Sequence, residues 1–296
     1  MQSSETRGAT VVTSERRVGT PRGRVFMCQL SGEGPPIVLM HGFPDDHRIY
    51  DKLLPRLSPR RAVAFDFLGY GRSDRSDALD FSAEEHASEL TAVLDELGVT
   101  RAVLVGHDAS GPDAVTYTVT HPQRVAHLVL LNTMFGNQPS LKMPEMTRLF
   151  SDPELTELSD DMVNDPNQLL WLLQRWGAQF ELDAEDPDGL GPRSILPQFF
   201  GDADQPDALA AIRAWTARLR SDLAEQDRLI AGGALRRLEA PVSIMFGERD
   251  RYLNPSFAGE LAALFERPSV HLVRDAGHYP QDAQPEIVAD LLKAST

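Results

Sequence analysis

The chain is expected to form an α/β fold, a mainly parallel central sheet flanked by helices. Short apolar runs recur along it, each bounded by turn residues, and helix-forming stretches separate them. Several runs are almost continuously hydrophobic, as strands covered on both faces must be. In order, strands are expected in "RVFMCQL" (24–30), "PIVLMHG" (36–42), "RAVAFDF" (61–67), "RAVLVGHD" (101–108), "VAHLVLLNT" (125–133), "PVSIMFGERD" (241–250) and "VHLVRDAGH" (270–278). After the third run, Ser82 followed by Glu85 makes a capping-box pattern. Ala87, Leu90, Leu94 and Leu97 then repeat at helical spacing up to Gly98, which predicts a helix. "ASGPDAVTYTV" after residue 108 reads as another helix start. From about Met134 to Gly233 no strong strand run appears, and amphipathic stretches such as "NQLLWLLQRW" and "LAAIRAWTARLRSDL" follow. This segment is expected to be a helical lid inserted after the sixth strand. A catalytic domain is then built from 1–133 and 234–296, and 134–233 hangs over the sheet's C-terminal edge.

Bulk composition narrows the partners. In 296 residues, 42% are hydrophobic, enough for a sizeable core, and the formal net charge is −15. Nucleic acid and anionic membrane surfaces both need a basic footprint that this balance lacks. The single cysteine, Cys28, excludes an internal disulfide and any cysteine-based metal or cluster site. "MQSSETRGAT" has no apolar core, and no run approaches the roughly 18 apolar residues of a membrane span. A cytoplasmic protein is the expectation. Its oligomeric state is open, a homodimer included.

The chemistry-bearing residues sit at strand ends. Asp108 closes "AVLVGHD" and is surrounded by Gly106, Ala109, Ser110 and Gly111, small residues that let a chain turn sharply and raise one side chain above a sheet. It occupies the place that serine takes in a G-x-S-x-G elbow. Downstream, "MFGERD" ends on Asp250 and "VRDAGH" on His278, so both are expected to project from the edge that bears Asp108. An acid and then a histidine after a nucleophile turn is the order of a hydrolytic triad. Glu248 and Asp275 are rival carboxylates, and the strand-end position favours Asp250. The loop "HGFPDD" after the second apolar run offers the backbone N–H of Phe43, and the residue after the elbow offers that of Ala109. Together these would form an oxyanion hole. A cis peptide before Pro44 is compatible with this tight loop. Asp45 and Asp46 read most simply as a solvated turn, and His47 and His107 as structural or pocket-lining residues.

With His41-Gly42-Phe43-Pro44, "DFLGYGRSD" at 66–74, Gly106-His107-Asp108, Asp250 and His278, the chain resembles the α/β-hydrolase superfamily. Within it, the resemblance is to the epoxide hydrolase and haloalkane or haloacetate dehalogenase branch. The resemblance implies the α/β-hydrolase fold, with Asp108 as nucleophile, His278 as general base and Asp250 as the acid orienting it. An ionised aspartate can displace a leaving group at saturated carbon without prior deprotonation, giving an alkyl ester. His278 would then activate water against the ester carbonyl, and no metal or organic cofactor is implied. The chain departs from each familiar pattern at the leaving group. Similar epoxide hydrolases use lid tyrosines, and 134–235 contains none. Haloalkane dehalogenases carry Trp after the nucleophile and a polar residue after HG; haloacetate dehalogenases favour Arg after the nucleophile. Here those positions are Ala109 and Phe43. Substitute hydrogen-bond donors are Trp171, Trp176 and Trp215 in the lid and Tyr252 beside Asp250. Epoxide hydrolysis on a mostly apolar small molecule is the leading expectation and dehalogenation the alternative. A ligand-binding protein that keeps the fold without turnover is the reading of a different class.

Overall fold

The computed structural model describes residues 13–76, 78–179, 195–201 and 207–294. Its centre is one eight-stranded sheet: β1 (Thr13–Thr20), β2 (Gly23–Leu30), β3 (Glu33–Met40), β4 (Arg60–Phe65), β5 (Ala102–Asp108), β6 (Val125–Thr133), β7 (Val242–Gly247) and β8 (Ser269–Val273). The spatial order is β1-β2-β4-β3-β5-β6-β7-β8. The β1–β2 and β2–β4 pairs are antiparallel, and every pair from β4 to β8 is parallel. The seven expected strands are all present, but the last two are shorter than expected: β7 stops at Gly247 and β8 at Val273. Asp250 and His278 thus lie in the loops that follow and not at strand ends, because the charged and small residues of "ERD" and "RDAGH" turn the chain out of the sheet. β1 was not anticipated, because "TSERRVGT" is an edge strand whose side chains stay largely exposed and charged, so it carries no apolar run.

The parallel strands are buried as their apolar runs suggest: Ile37 to Met40, Val103 to Val105 and Leu128 to Leu131 are at most 1% exposed. Around them run α1 (Ala83–Glu96) and α2 (Ser110–Thr120). Among the described residues, five helices lie between β6 and β7: α3 (Glu145–Ser151), α4 (Thr156–Asn164), α5 (Pro166–Gln179), α6 (Ile195–Phe200) and α7 (Leu209–Ala231). Then come α8 (Pro255–Ala262), α9 (Pro280–Ala283) and α10 (Pro285–Ala294). Ser82 caps α1 by accepting the Glu85 N–H at 3.2 Å. The reciprocal half of the expected box differs: Glu85 turns back to the N–H groups of Asp80 and Phe81, not to that of Ser82. Between β6 and β7 the described residues form helices and turns and no strand. No described helix is long and apolar enough to cross a membrane. Because β3 to β8 run the same way, the residues following β3, β5, β7 and β8 meet at one edge.

Candidate active site

Asp108 stands at the end of β5 with φ +49°, a left-handed conformation that costs a non-glycine residue energy and persists only when its surroundings enforce it. The surroundings here are specific. Thr133 Oγ1 donates to the Asp108 carbonyl at 2.5 Å, while Ser110 Oγ accepts the His107 N–H and bonds the Met40 carbonyl across to β3. A Cβ on Gly42 would strike Asp108, and one on Gly111 would strike Thr133, so glycine is what lets the two loops and the helix close on the elbow. About a quarter of the Asp108 side chain remains exposed.

Three titratable groups converge. His278 Nδ1 lies 2.8 Å from Asp250 Oδ2, and His278 Nε2 lies 3.6 Å from Asp108 Oδ1. Asp250 Oδ1 accepts the N–H groups of Tyr252 and Leu253 at 2.8 and 3.0 Å. Burial would raise Asp250, but the charge and hydrogen bond of His278 and those two amides hold it below the usual carboxylate range. Burial pushes His278 down, yet Asp250 and then Asp108 outweigh it and keep the imidazole charged up to about 9. Asp108 is raised by burial, against the opposing pull of His278 and the amides of Phe43 and Ala109. The rival carboxylates are elsewhere: Glu248 is exposed, and Asp275 is exposed against Arg249.

The two amides named from sequence both address Asp108. Phe43 N–H donates to Oδ2 at 3.0 Å, and the Ala109 N–H also bonds the carboxylate. The Phe43–Pro44 peptide is cis. A cavity opens above Asp108 and His278, lined by Phe43, Ala109, Met134, Leu141, Lys142, Trp215, Leu219, Tyr252 and Leu253, among others.

The donor candidates separate. Trp171 is 58% exposed on α5 and does not line the cavity, so it is set aside; its position on an amphipathic helix left open which face turns inward. The side chain of Trp176 lies outside the described residues. Tyr252 lines the cavity, but its hydroxyl donates to Glu145 at 2.5 Å, and burial together with the Glu145 charge raises its pKa. Trp215 lines the cavity at 8% exposure, its ring centre 6.1 Å from that of Phe43.

Two aspartates depart from expectation. Asp45 and Asp46 are not a solvated turn: both are fully buried, Asp45 accepting from Tyr279 at 3.3 Å and Asp46 from Arg48 and from Gln198 at 2.8 Å. His107 is structural, its Nε2–H donating to the His278 carbonyl at 2.9 Å and so bracing the loop that carries His278. Asn132 was missed. It donates to Asp250 Oδ2 at 2.8 Å and accepts the Gly247 N–H at 2.9 Å, tying β6 to the acid. Asp46, His47 and Asp66 have side-chain atoms within 4.8 Å of one another, a metal-like grouping. Each is already paired: His47 Nδ1 with Asp66 at 2.8 Å, and Asp46 with Arg48 at 2.5 Å.

A model of the "Alpha/beta hydrolase family" matches residues 37–291. Haloalkane dehalogenase 2 of Mycobacterium tuberculosis is 36% identical over 133 residues, 45% of this chain and 46% of that protein. Epoxide hydrolase B of the same species is 34% identical over 115 residues, 38% and 32% of the two chains. The match thus spans about half the length of the dehalogenase and a third of the epoxide hydrolase. A 2-(acetamidomethylene)succinate hydrolase of Mesorhizobium japonicum is 28% identical over 275 residues, 90% of this chain and 88% of that one. With its eight-stranded sheet and the family match across 37–291, the chain belongs to the alpha/beta hydrolase family, and within it is similar to the haloalkane dehalogenase and epoxide hydrolase branch.

Proposed function

We propose that the protein hydrolyses a small, mostly apolar molecule through an ester of Asp108, with a halide at saturated carbon as the first leaving group to test. The observation that carries this reading is the Asp108 carboxylate itself. Its Oδ2 accepts the Phe43 N–H, the Ala109 amide also bonds the carboxylate, and Oδ1 lies 3.6 Å from His278 Nε2. A serine there would attack acyl carbon; a carboxylate attacks alkyl carbon. In the first step an Asp108 oxygen forms a C–O bond as the carbon–halogen bond breaks and halide leaves with the electron pair. That step removes the Asp108 charge, one of the influences holding His278 protonated. The imidazole's pKa therefore falls from about 9, and it becomes a base after giving its proton to solvent. His278 then takes a proton from water as the water oxygen adds to the Asp108 carboxyl carbon, and the Phe43 and Ala109 amides receive the oxyanion. Its collapse breaks the bond from that carbon to the alkyl-bearing oxygen, and the alcohol leaves with the proton from His278, restoring the Asp108 carboxylate.

The donor set favours halide. Among the described residues the Trp215 indole N–H has no hydrogen-bond partner, and an indole donates a hydrogen bond without giving up its proton. A departing halide needs only that. An epoxide oxygen leaves as an alkoxide and needs a proton, which Tyr252, bonded to Glu145 and raised in pKa, holds tightly. The second reading, epoxide hydrolysis, is favoured by Lys142, a cavity-wall ammonium with no ion pair among the described residues. In both readings residues 134–233 act as a lid, since Thr147 of α3 and Trp215 and Leu219 of α7 roof the cavity.

The test is a single turnover in heavy-oxygen water with matched halide and epoxide substrates, followed by peptide mass analysis. Label is expected in Asp108, and His278→Gln is expected to accumulate the Asp108 adduct of the halide. Turnover with no label in Asp108 would overturn the ester route. Absence of halide, diol and adduct across the panel would leave a ligand-binding protein on this fold.

A further inference from the structure

The two edges of the sheet are built differently. β1 is blunted by charge: Glu15, Arg16 and Arg17 make ion pairs with Arg72, Glu96 and Asp74, as edge strands do when they are kept from pairing. β8, at the other edge, carries no Asp, Glu, Lys or Arg within Ser269–Val273. Its Val270 and Leu272 are 45% and 44% exposed and, being two residues apart, share one face of the strand. α8 packs against β8, but these two side chains are left uncovered. A short apolar edge with unpaired backbone groups is a template for another strand.

The flanking charges say which strand. The segment 266–275 reads Glu266-Arg267 before β8 and Arg274-Asp275 after it, all four exposed. An antiparallel pairing of β8 with a second copy, centred on His271, puts Val270 opposite the copy's Leu272, so the four apolar side chains form one patch. Arg267 lies in a bend before the strand and Asp275 in a left-handed turn after it (φ +55°), so the flanks match as chain ends and not as paired strand positions. Antiparallel pairing brings Glu266-Arg267 to the end that holds the copy's Arg274-Asp275, with both signs on each side. Parallel pairing would instead bring the two Arg267 ends together and the two Asp275 ends together. Arg267 has no ion pair among the described residues, although Asp275 already meets Arg249. We propose that β8 is a self-association edge, pairing antiparallel with β8 of a second copy about His271 to continue the sheet through both molecules. Two five-residue strands bury less than the roughly 1,200 Å² of a standard stable interface, so the dimer is concentration-dependent.

Sedimentation of the full chain from micromolar to submillimolar concentration is expected to show reversible dimer formation. Leu272→Asp is expected to shift the midpoint at least tenfold upward while hydrolysis per subunit is unchanged. Residues directly opposite in an antiparallel pair have Cα atoms about 4.5–5.5 Å apart, within disulfide reach. In a Cys28→Ser background, His271→Cys is therefore expected to cross-link on mild oxidation, and Ser269→Cys much more slowly. A monomer at every concentration overturns the proposal, as does a dimer indifferent to Leu272→Asp or equal cross-linking at 269 and 271.

Discussion

Asp250 Oδ2 accepts from both His278 Nδ1 and Asn132 Nδ2, and the Asn132 carbonyl oxygen meanwhile holds the N–H of Gly247 at the end of β7. Asn132, itself at φ +36°, is therefore a positioning residue that fixes the acid from a neighbouring strand. Asn132→Ala removes both bonds and strands a buried N–H, a loss of about 1–3 kcal/mol in stability. The turn of His278 is expected to loosen with it: hydrolysis of the Asp108 ester slows about tenfold or more, alkylation of Asp108 changes little, and Asn132→Asp fails to restore a neutral donor. Rapid-quench separation of the two steps checks this, and equal slowing of both would reduce Asn132 to a stability role. The asymmetry in legibility has the same root. Asp108 was readable because it ends an apolar run, and Asp250 and His278 because each lies in the short loop that follows one, so parallel strands bring all three to one edge. Asn132 sits one residue inside "VAHLVLLNT", and its importance depends on which strand lies next to β6. Asp45 and Asp46 were misread because two aspartates after a proline resemble a turn, while their burial comes from Tyr279 and Gln198, distant in sequence.

Among the elements, α7 was legible as an amphipathic helix but its inward face was not, and that face decides the leaving-group partner. Trp215, Leu219, Asp222 and Gln226 recur at helical spacing along the cavity, and Trp215 also packs against Phe67, Tyr70, Phe81 and His86. Trp171 has an equally suggestive place in "NQLLWLLQRW" and faces outward. Periodicity gives the angle between residues and not the direction of the core. Trp215→Phe keeps the aromatic packing and deletes the N–H. A hydrogen bond to a charged partner contributes about 1.5–3 kcal/mol, so alkylation of Asp108 by a halide is expected to slow about 10- to 100-fold. The melting temperature should stay close to that of the parent and ester hydrolysis should be unaffected. Unchanged alkylation kinetics would remove Trp215 from the leaving-group site.

Across the whole molecule, six buried titratable groups place the stability optimum. Burial disfavours charge on His47, His86 and His278, but Asp66, Asp113 and Asp250 respectively outweigh it and raise each imidazole to about 9. Their contribution is fully present below the ordinary histidine value of 6.5 and is lost as pH rises through about 9, by about 1.4 kcal/mol per pH unit for each proton held only in the native state. Glu89, raised by burial to about 7, acts in the same sense between its ordinary 4.5 and 7. His41 and His107 work the other way. Burial lowers both, His107 to about 3, so the native state keeps them neutral while the unfolded chain protonates below 6.5, and stability falls as pH drops. On the acid side His107 offsets Glu89 and His41 adds to His107 in the same sense, while three histidines act together on the alkaline side. The melting temperature is therefore expected to peak near pH 6.5 and to fall more steeply toward 9 than toward 5. Asp113→Asn, which removes the partner of His86, should make the alkaline limb shallower by about one proton. A melting temperature that is level or rising between pH 7 and 9 would show that these buried pairs do not govern stability.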